Sequence, residues 1–239
     1  MPYSSLPPVL AGALTARGYL EPTPVQAALY RQLQESAERA LLDLAAQGAS
    51  EASLRLATLT QLLRLRQVCC DPHLVKGAKV HPGTERAKLD LLADMLPALV
   101  EEGRRVLVFS QFTEMLALAA ELLDTLALPY LTLTGQTPPR ERGAVVKRFQ
   151  AQDETSAPIL LASLKAGGVG LNLTAADTVI HVDPWWNPAV EQQATDRAHR
   201  LGQTRQVMVY KLVVAGSIEE RILALQARKA ALAEGVLGH

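Results

Sequence analysis

Two arginines and a glutamine recur at helical spacing towards the end of the chain. Gln193, Arg197 and Arg200 are separated by four and three residues, so on a helix their side chains form one stripe. Guanidinium groups stay protonated and match phosphate oxygens, and paired arginines can neutralise charge on a transferring phosphoryl group. A solvated helix with ordinary ion pairs to Glu191 or Asp196 explains the same spacing. The stripe is therefore a candidate, not yet a site.

Small residues occupy the helix face beside this arginine stripe. The helix is expected to run from Pro188 to about Leu201. Four residues fall within roughly 80° of each other at 100° per residue: Val190, Ala194, Ala198 and Leu201. Such a seam can lie close against a sheet. The two guanidinium groups would then sit at the margin of a buried face and reach an adjoining surface.

A glycine-rich segment with a hydroxyl and an ammonium follows a short apolar run. Ser163 and Lys165 precede three glycines, which include Gly168 and Gly170. Backbone amides there could approach a phosphate while the two side chains donate to it. A tight strand-to-helix turn is the plainer explanation. The chain has no G-x-x-x-x-G-K-[ST] motif, and Leu173 excludes a dinucleotide fingerprint.

Two further loops carry polar or aromatic residues directly after apolar runs. Ser110 and Gln111 stand where a plain turn would do, and Trp185 and Trp186 lie in a proline-bounded loop. One indole ring could be buried and the other exposed as a contact site. Both could equally be structural, since tryptophan often closes the edge of a sheet. In open parallel sheets ligands bind beyond the carboxyl ends of the strands, so function is expected in these loops.

The segments between these loops alternate between helix and strand patterns. Apolar, β-branched runs predict strands at Val106 to Phe109, Tyr130 to Leu133, Ile159 to Ala162, Val179 to Val182 and Val207 to Val213. Amphipathic stretches separate them, and one helical face combines Leu89, Leu92, Leu96 and Leu99. This order predicts an α/β fold, with a doubly wound, mainly parallel sheet and helices on both faces.

A helical annex is expected before the first strand. Thr23 can cap a helix that starts at Pro24, with Gln26 completing a capping box, and this helix is expected to reach Gln47. A second helix follows until Asp71-Pro72 stops it. The expected division is therefore a tail at 1–22, a helical annex and linker at 23–84, an α/β lobe at 85–215 and a brace helix at 216–239. The last helix is expected to begin at a second capping box, Ser217 to Glu220.

The composition restricts the classes of partner and site. Lysine plus arginine equals aspartate plus glutamate at 24 each, so any DNA contact should be local. An aromatic fraction of 4% argues against a stacking platform for single strands. Adjacent Cys69 and Cys70 are expected as buried packing residues, and the histidines lack metal-ligand spacing, so no metal site is expected. No signal peptide or membrane span is evident, which favours a cytoplasmic location.

Taken in order, these segments resemble the carboxyl-terminal helicase lobe of the Swi/Snf family of superfamily-two ATPases. The resemblance spans about Thr23 to Gly235, and its last two motifs are highly specific as a pair. The segments that carry it are QLLRLRQVCCDPHLV at 61–75, VLVFSQF at 106–112, 133–149 with Gly135, Thr137 and Arg142, LLASLKAGGVGLNLT at 160–174, DPWWNP at 183–188 and QATDRAHRLGQ at 193–203. It implies a RecA-like second lobe of an ATP-driven DNA translocase.

The resemblance also implies roles for individual residues. Arg197 and Arg200 match the family's arginine fingers, the catalytic residues that reach ATP phosphates held on the other lobe. The further ATP-site positions are matched by Gln193, Gly168 and Gly170. The positions in loops that face or couple to DNA are matched by Ser110, Gln111, Ser163, Lys165 and Trp185. Whether Trp185 or Trp186 contacts DNA stays open.

The expected partners and cofactors follow from what the sequence does not contain. The family's P-loop lysine and Asp-Glu motif, which hold ATP and Mg on a first RecA-like lobe, have no counterpart here. We therefore expect that lobe as a partner, in cis or in trans, with neither ATP nor Mg bound by this chain alone and no ATPase activity without it. The backbone of double-stranded DNA is the second partner. The location would be nucleoid-associated if the parent is prokaryotic.

Three alternatives stay open at this stage. The chain could be a stand-alone module that uses a RecA-like fold to hold DNA or a protein without turnover, or it could be inert. Residues 18–26 also resemble the adenine-reading glutamine motif of DEAD-box proteins. Against that, Thr23 to Tyr30 fits the family's Thr-Pro-x-Gln-x-x-Leu-Tyr, and no P-loop follows.

Overall fold

Two helices packed side by side form the first described part of the molecule, α1 (Pro24–Ala46) and α2 (Glu51–Cys70). The computed structural model describes residues 19–151, 153, 156–164, 171–198 and 205–237. The capping box predicted for α1 is confirmed, because Gln26 N–H donates to Thr23 Oγ1 at 3.3 Å and Thr23 N–H donates to Gln26 Oε1 at 3.2 Å. A short 3-10 turn at Pro72–Leu74 follows α2, where the sequence predicts a stop.

Five parallel strands form the sheet of the described residues in the order β2-β3-β1-β4-β5. They are β1 (Val106–Ser110), β2 (Tyr130–Leu133), β3 (Ile159–Ser163), β4 (Thr178–His181) and β5 (Met208–Lys211). All five predicted strands are confirmed, and their ends lie within two residues of the predicted ends. The central strand β1 pairs Val106 with Ile159 on one side and with Thr178 on the other.

Helices cover both faces of this sheet, as predicted. The remaining helices are α3 (Ala87–Glu101), α4 (Thr113–Thr125), α5 (Pro139–Gln150), α6 (Pro188–Thr195) and α7 (Ile218–Leu237). Alternate residues of a strand point to opposite faces. Val106 and Val108 therefore join the core with α3 and α4, whereas Leu107 and Phe109 join the core with α5 and α6.

The last helix packs against the annex as well as the lobe. Leu65 and Cys69 of α2 share a buried cluster with Ile218 and Ile222 of α7. Cys69 and Cys70 are free thiols within the interior, which confirms their prediction as packing residues. The described helices include none with the length and apolar character needed to cross a membrane.

One predicted helix end and one predicted capping box are wrong, although α7 begins at Ile218, directly after Ser217, as predicted. α6 ends at Thr195, well before Leu201, because the chain turns at residues 196–198. Ser217 does not form the expected capping box with Glu220. Its hydroxyl instead donates to the Val214 carbonyl at 2.7 Å and accepts from Glu219 N–H at 3.1 Å.

The segment expected as a tail, 1–22, contains a residue that is buried against the lobe. Leu20 was assigned to the tail, yet it is buried and hydrogen-bonded to the chain that follows β5. Its N–H donates to the Val213 carbonyl at 2.7 Å, and its carbonyl accepts from Ala215 N–H at 2.8 Å. Backbone pairing of this kind depends on tertiary contacts that a local sequence pattern does not contain.

Candidate functional site

The carboxyl ends of β1 and β4 are joined by a buried hydrogen bond between two side chains. Ser110, the last residue of β1, donates through Oγ to Oδ1 of Asp183, which lies just past β4. The register of the two strands brings them together, since Phe109 lies opposite His181. Ser110 and Asp183 are 0% and 1% exposed. In this conformation the Ser110 hydroxyl therefore offers no surface to a DNA backbone.

Asp183 also fixes the start of the loop after β1. Its Oδ2 accepts the backbone N–H of Gln111 at 3.3 Å, while Ser110 Oγ accepts the N–H of Phe112 at 3.1 Å. These bonds set the direction in which the chain leaves β1 for α4. The Gln111 side chain is half-buried, and its Nε2 has no hydrogen-bond partner among the described residues.

Buried charges of both signs lie beneath this edge. Lys88 Nζ donates to Glu219 Oε1 at 2.7 Å, and the Lys88 and Glu219 side chains are 0% and 1% exposed. Burial lowers the pKa of Lys88, but the Glu219 and Asp183 carboxylates and Cys70 together outweigh that effect, and the pKa is raised. Burial raises the pKa of Asp183, although Lys88 and Ser110 act against it. The edge is thus tied to α3 and α7.

The loop that carries Trp185 is held through its backbone by two helices. Trp185 N–H donates to Glu191 Oε2 of α6 at 3.1 Å, and its carbonyl accepts from Gln226 Nε2 of α7 at 2.6 Å. Glu191 is 2% exposed and pairs with Lys211 of β5. Burial would raise the pKa of Glu191, but the bond to Lys211 and the proximity of His181 bring the pKa below its usual value. Glu191 therefore stays an ionised acceptor.

The two tryptophans are buried to a similar extent, and the sequence did not predict this. Both are half-buried, so neither is the fully buried nor the fully exposed ring. Trp185 packs against the core on the α6 face of the sheet, and Trp186 packs against the cluster between α2 and α7. The loop therefore bridges two cores.

A neutral histidine anchors the last turn of α6 to β4. His181 Nε2 lies 2.9 Å from Thr195 Oγ1, which itself donates to the Glu191 carbonyl at 3.2 Å. Nε2 must then carry the ring proton. Burial lowers the pKa of His181 to about 4, with opposing effects from Glu191 and Lys211. The uncharged ring stacks on Phe109, with centroids 5.6 Å apart.

The predicted seam of small residues is found where α6 faces the sheet. Ala194 and Ala198 are 1% and 0% exposed and belong to the core. Gln193 is exposed, and Arg197 is half-buried in the turn after α6. The backbone of Arg197 is fixed by Leu173 N–H, which donates to its carbonyl at 2.9 Å. Arg197 therefore lies at the margin of the buried face.

The other predicted site residues are divided between the interior and the segments outside the described residues. Ser163 ends β3 directly opposite Ser110 and is 5% exposed. Lys165, Gly168, Gly170 and Arg200 lie outside the described residues. The ATP and DNA roles of all these residues stay predictions.

The residues that hold the site together were not identified from the sequence. They are Arg66, Lys88, Asp183, Glu191 and Gln226, which come from four helices and one strand end. Asp183 alone carried a local signal, because a carboxylate directly after a buried parallel strand is a site position. The others meet only in the folded chain.

The fold and this edge together define a class of protein. A parallel sheet with the order β2-β3-β1-β4-β5, covered by helices on both faces and carrying its candidate loops at the carboxyl edge, is a RecA-like helicase lobe. The profile of the family described as Helicase conserved C-terminal domain matches residues 87–202.

Solved structures make the assignment more specific. The Sulfolobus solfataricus SWI2/SNF2 ATPase C-terminal domain is similar with a TM-score of 0.70 and 30% identity, over 89% of this chain and 84% of that chain. The Sulfolobus solfataricus SWI2/SNF2 ATPase core in complex with dsDNA gives a TM-score of 0.74 and 32% identity, over 90% of this chain and 44% of that chain. This chain therefore belongs to the SWI2/SNF2 family as a helicase C-terminal domain.

A relative of greater length shows how much of such a protein this chain represents. An uncharacterized ATP-dependent helicase of Mycoplasma pneumoniae is 35% identical over 228 residues, which are 95% of this chain and 21% of the relative. The chain thus spans about a fifth of the length of the curated relatives it matches.

Proposed function

We propose that this chain acts as the second motor lobe of an ATP-dependent double-stranded DNA translocase. The observation that carries the proposal is the position of Arg197, half-buried beside Ala194 and Ala198 at the margin of the α6 face. A guanidinium at the margin of a packed lobe can reach across a cleft to a neighbouring lobe. Arg200 follows three residues later in the same sequence motif.

The chemistry asked of these arginines is stabilisation of charge on ATP. Phosphoryl transfer spreads negative charge over the equatorial oxygens, and a guanidinium supplied from another lobe neutralises it. Arg197 suits this task because its backbone is bonded to Leu173 and the end of the preceding helix α6 is anchored to β4 through Thr195 and His181. A preorganised donor loses little free energy to reorganisation during the reaction.

The residues of this chain fit ATP phosphates better than they fit Mg. The described residues include no group of three or more histidines, cysteines or acidic side chains that could hold a metal ion. Mg is therefore assigned to the partner lobe, and this chain supplies cationic donors to the phosphates.

The proposed DNA surface is the carboxyl edge of the sheet. Gln111 lies directly after β1 with a half-buried side chain whose Nε2 would have to turn outward to reach DNA, and Trp185 is half-buried in the loop after β4. A similar solved structure is that of a SWI2/SNF2 ATPase core in complex with dsDNA, which supports a duplex as the ligand. The net charge of zero favours a weak, local contact with the backbone and steep loss of affinity with salt.

The decisive experiment is complementation. The P-loop lobe of the parent protein, supplied as a separate chain, is mixed with this chain, and ATP hydrolysis is measured with and without duplex DNA. We expect background hydrolysis from this chain alone and DNA-stimulated hydrolysis from the mixture. Turnover by this chain alone, or a mixture that stays at background at every ratio, would contradict the proposal and favour a binding module.

A further inference from the structure

The guanidinium of Arg66 lies among the rings of the candidate DNA loops. Its central carbon is 5.4 Å from the ring centroid of Trp186, 5.6 Å from that of Trp185 and 5.8 Å from that of Phe112. Arg66 is 4% exposed. Arginine over an aromatic face within about 6 Å is an attractive cation–π arrangement. One annex side chain therefore contacts all three aromatic residues of two loops.

The polar contacts of Arg66 are directed to the same two loops. Its NH2 group donates to the Pro184 carbonyl at 2.9 Å and lies 4.0 Å from Asp183 Oδ2. Asp183 in turn accepts from Ser110 and from the backbone of Gln111. Arg66 thus reaches the loop after β4 directly and the loop after β1 through one carboxylate.

The geometry is unfavourable for an interaction that serves stability alone. The pair with Asp183 is long, and the Arg66 Nε–H has no hydrogen-bond partner among the described residues. Burying a guanidinium carries a large desolvation cost, which only close, fully bonded pairs offset. An apolar side chain of similar length could fill this space, but it could neither donate to the Pro184 carbonyl nor orient the rings.

Arg66 also joins parts of the chain that are far apart in sequence. It belongs to the last turns of α2 in the annex, and Pro184 is 118 residues further on. The tryptophan loop is held from its other side by Glu191 and Gln226. Arg66 is therefore the annex's contribution to a loop that is otherwise fixed by the lobe and by α7.

We propose that Arg66 is a positioning residue, which sets the orientation of the Trp185–Trp186 loop and thereby links the annex to the DNA-facing edge. Its effect on turnover rests on the proposed function, but its effect on the loop does not. A small misplacement of reacting groups can reduce turnover by about 10- to 100-fold. We expect a loss of that size in DNA-stimulated kcat from Arg66→Met.

The first test uses this chain alone. Trp185 and Trp186 are the only tryptophans, so fluorescence excited selectively over the five tyrosines reports on this loop. For Arg66→Met and Arg66→Lys we expect a red-shifted emission maximum and stronger quenching by acrylamide, because the rings lose their cover. Lysine should not restore the wild-type signal, since its compact ammonium lacks the planar fork. Arg64, exposed on the same helix, gives the matched controls Arg64→Met and Arg64→Lys, which should be unchanged.

The second test uses the mixture with the P-loop lobe. Arg66→Met should lower DNA-stimulated kcat with the KM for ATP unchanged, because the nucleotide contacts of Arg197 are not altered. Urea unfolding and far-UV circular dichroism of each variant check that it is folded, and Arg66→Lys provides the second variant if the methionine variant is not. Wild-type fluorescence in a folded Arg66 variant would overturn the positioning role. Altered fluorescence with wild-type kcat would overturn the link to turnover, whereas a wild-type mixture without activity would overturn the proposed function and leave the fluorescence result standing.

Discussion

The two edges of the sheet use similar polar chemistry for different purposes. At the amino edge, Arg105 donates to the carbonyls of Phe149 and Ala157, and Asp177 accepts from the Arg105 backbone at 3.1 Å. At the carboxyl edge, Asp183 is bonded to Ser110. The difference lies in which elements are joined.

The amino edge closes the lobe on itself. Arg105 stacks over Phe149 at 4.8 Å and donates to Ser156, and Asp177 pairs with Arg205 at 3.0 Å. All five residues belong to the expected lobe at 85–215. Removing such a contact should cost stability without an effect on the tryptophan loop.

The carboxyl edge connects the lobe to its flanking helices. Arg66 comes from α2 and Lys88 from α3, while Glu219 and Gln226 come from α7. All of them contact the chain at residues 182–185 or a residue bonded to it. The carboxyl edge is therefore bonded to the annex and to the last helix, whereas the contacts of Arg105 and Asp177 at the amino edge stay within the lobe.

The largest expected effect is a loss of stability when Lys88 is replaced, because its ion pair at the carboxyl edge is removed. Lys88→Met leaves the fully buried Glu219 without its cation, and loss of one partner of a buried pair costs about 3–5 kcal/mol. Urea unfolding at pH 7 measures it. The double variant Lys88→Met with Glu219→Gln removes both charges and should recover most of the stability. Wild-type stability in the single variant would show that the pair is not held as the structure has it.

A smaller loss of stability is expected at the amino edge, and it tests whether the two edges are independent. Arg105→Met removes hydrogen bonds to two carbonyls and to Ser156. One hydrogen bond to a charged group contributes about 1.5–3 kcal/mol, and because Arg105 is partly exposed we expect the three bonds together to contribute about 2–3 kcal/mol to the free energy of unfolding. Tryptophan emission of the folded protein should stay unchanged. A red shift as large as that of Arg66→Met would mean that the two edges are not independent.

The pH dependence of stability should reveal the anchor between β4 and α6. The folded protein favours neutral His181, with its pKa lowered from 6.5 to about 4, so this stability is present at neutral pH and is lost as the pH falls from 6.5 towards 4. Between pH 7.5 and pH 5 the loss should be about 2 kcal/mol. His181→Gln should flatten that slope in urea titrations. An equally steep slope in this variant would assign the acid sensitivity to other groups.

The smallest expected effect concerns DNA itself. Gln111→Ala removes a half-buried amide whose Nε2 would have to turn outward to donate to a phosphate, and it keeps the backbone bond to Asp183. One lost hydrogen bond to a phosphate corresponds to about 1 kcal/mol, or about five-fold in duplex affinity. Fluorescence anisotropy at low salt measures it. The matched control is Gln34→Ala, which loses only a surface bond to Glu38 and should bind as wild type does.

Local patterns predicted the elements of this fold well, but not their mutual contacts. The apolar run at Tyr130 to Leu133 gave β2 with correct ends, and Thr23 with Gln26 gave the start of α1. The start of the last helix after Ser217 was also predicted, but the Ser217 hydroxyl accepts from Glu219 N–H, one residue earlier than the capping box requires.

The candidate site divides in the same way. Helical periodicity predicted the burial of Ala194 and the place of Arg197 beside the seam, although the structure puts Arg197 and Ala198 in the turn after α6. The burial of Ser110 did not, because it depends on Asp183, which lies 73 residues away. Arg66 gave no signal, since an arginine near the end of a helix is ordinary until the rings of other segments surround it.

The arginine-finger role of Arg197 and Arg200 is tested most directly by single-turnover ATP hydrolysis in a mixture of the P-loop lobe, duplex DNA and this chain. Arg197→Ala and Arg200→Ala should each lower the rate by about 10³-fold or more, as loss of an arginine finger does, with ATP affinity nearly unchanged. The matched control is Arg140→Ala, an 86% exposed arginine of α5, which should react at the wild-type rate. A wild-type rate in both variants would show that neither Arg197 nor Arg200 acts as an arginine finger.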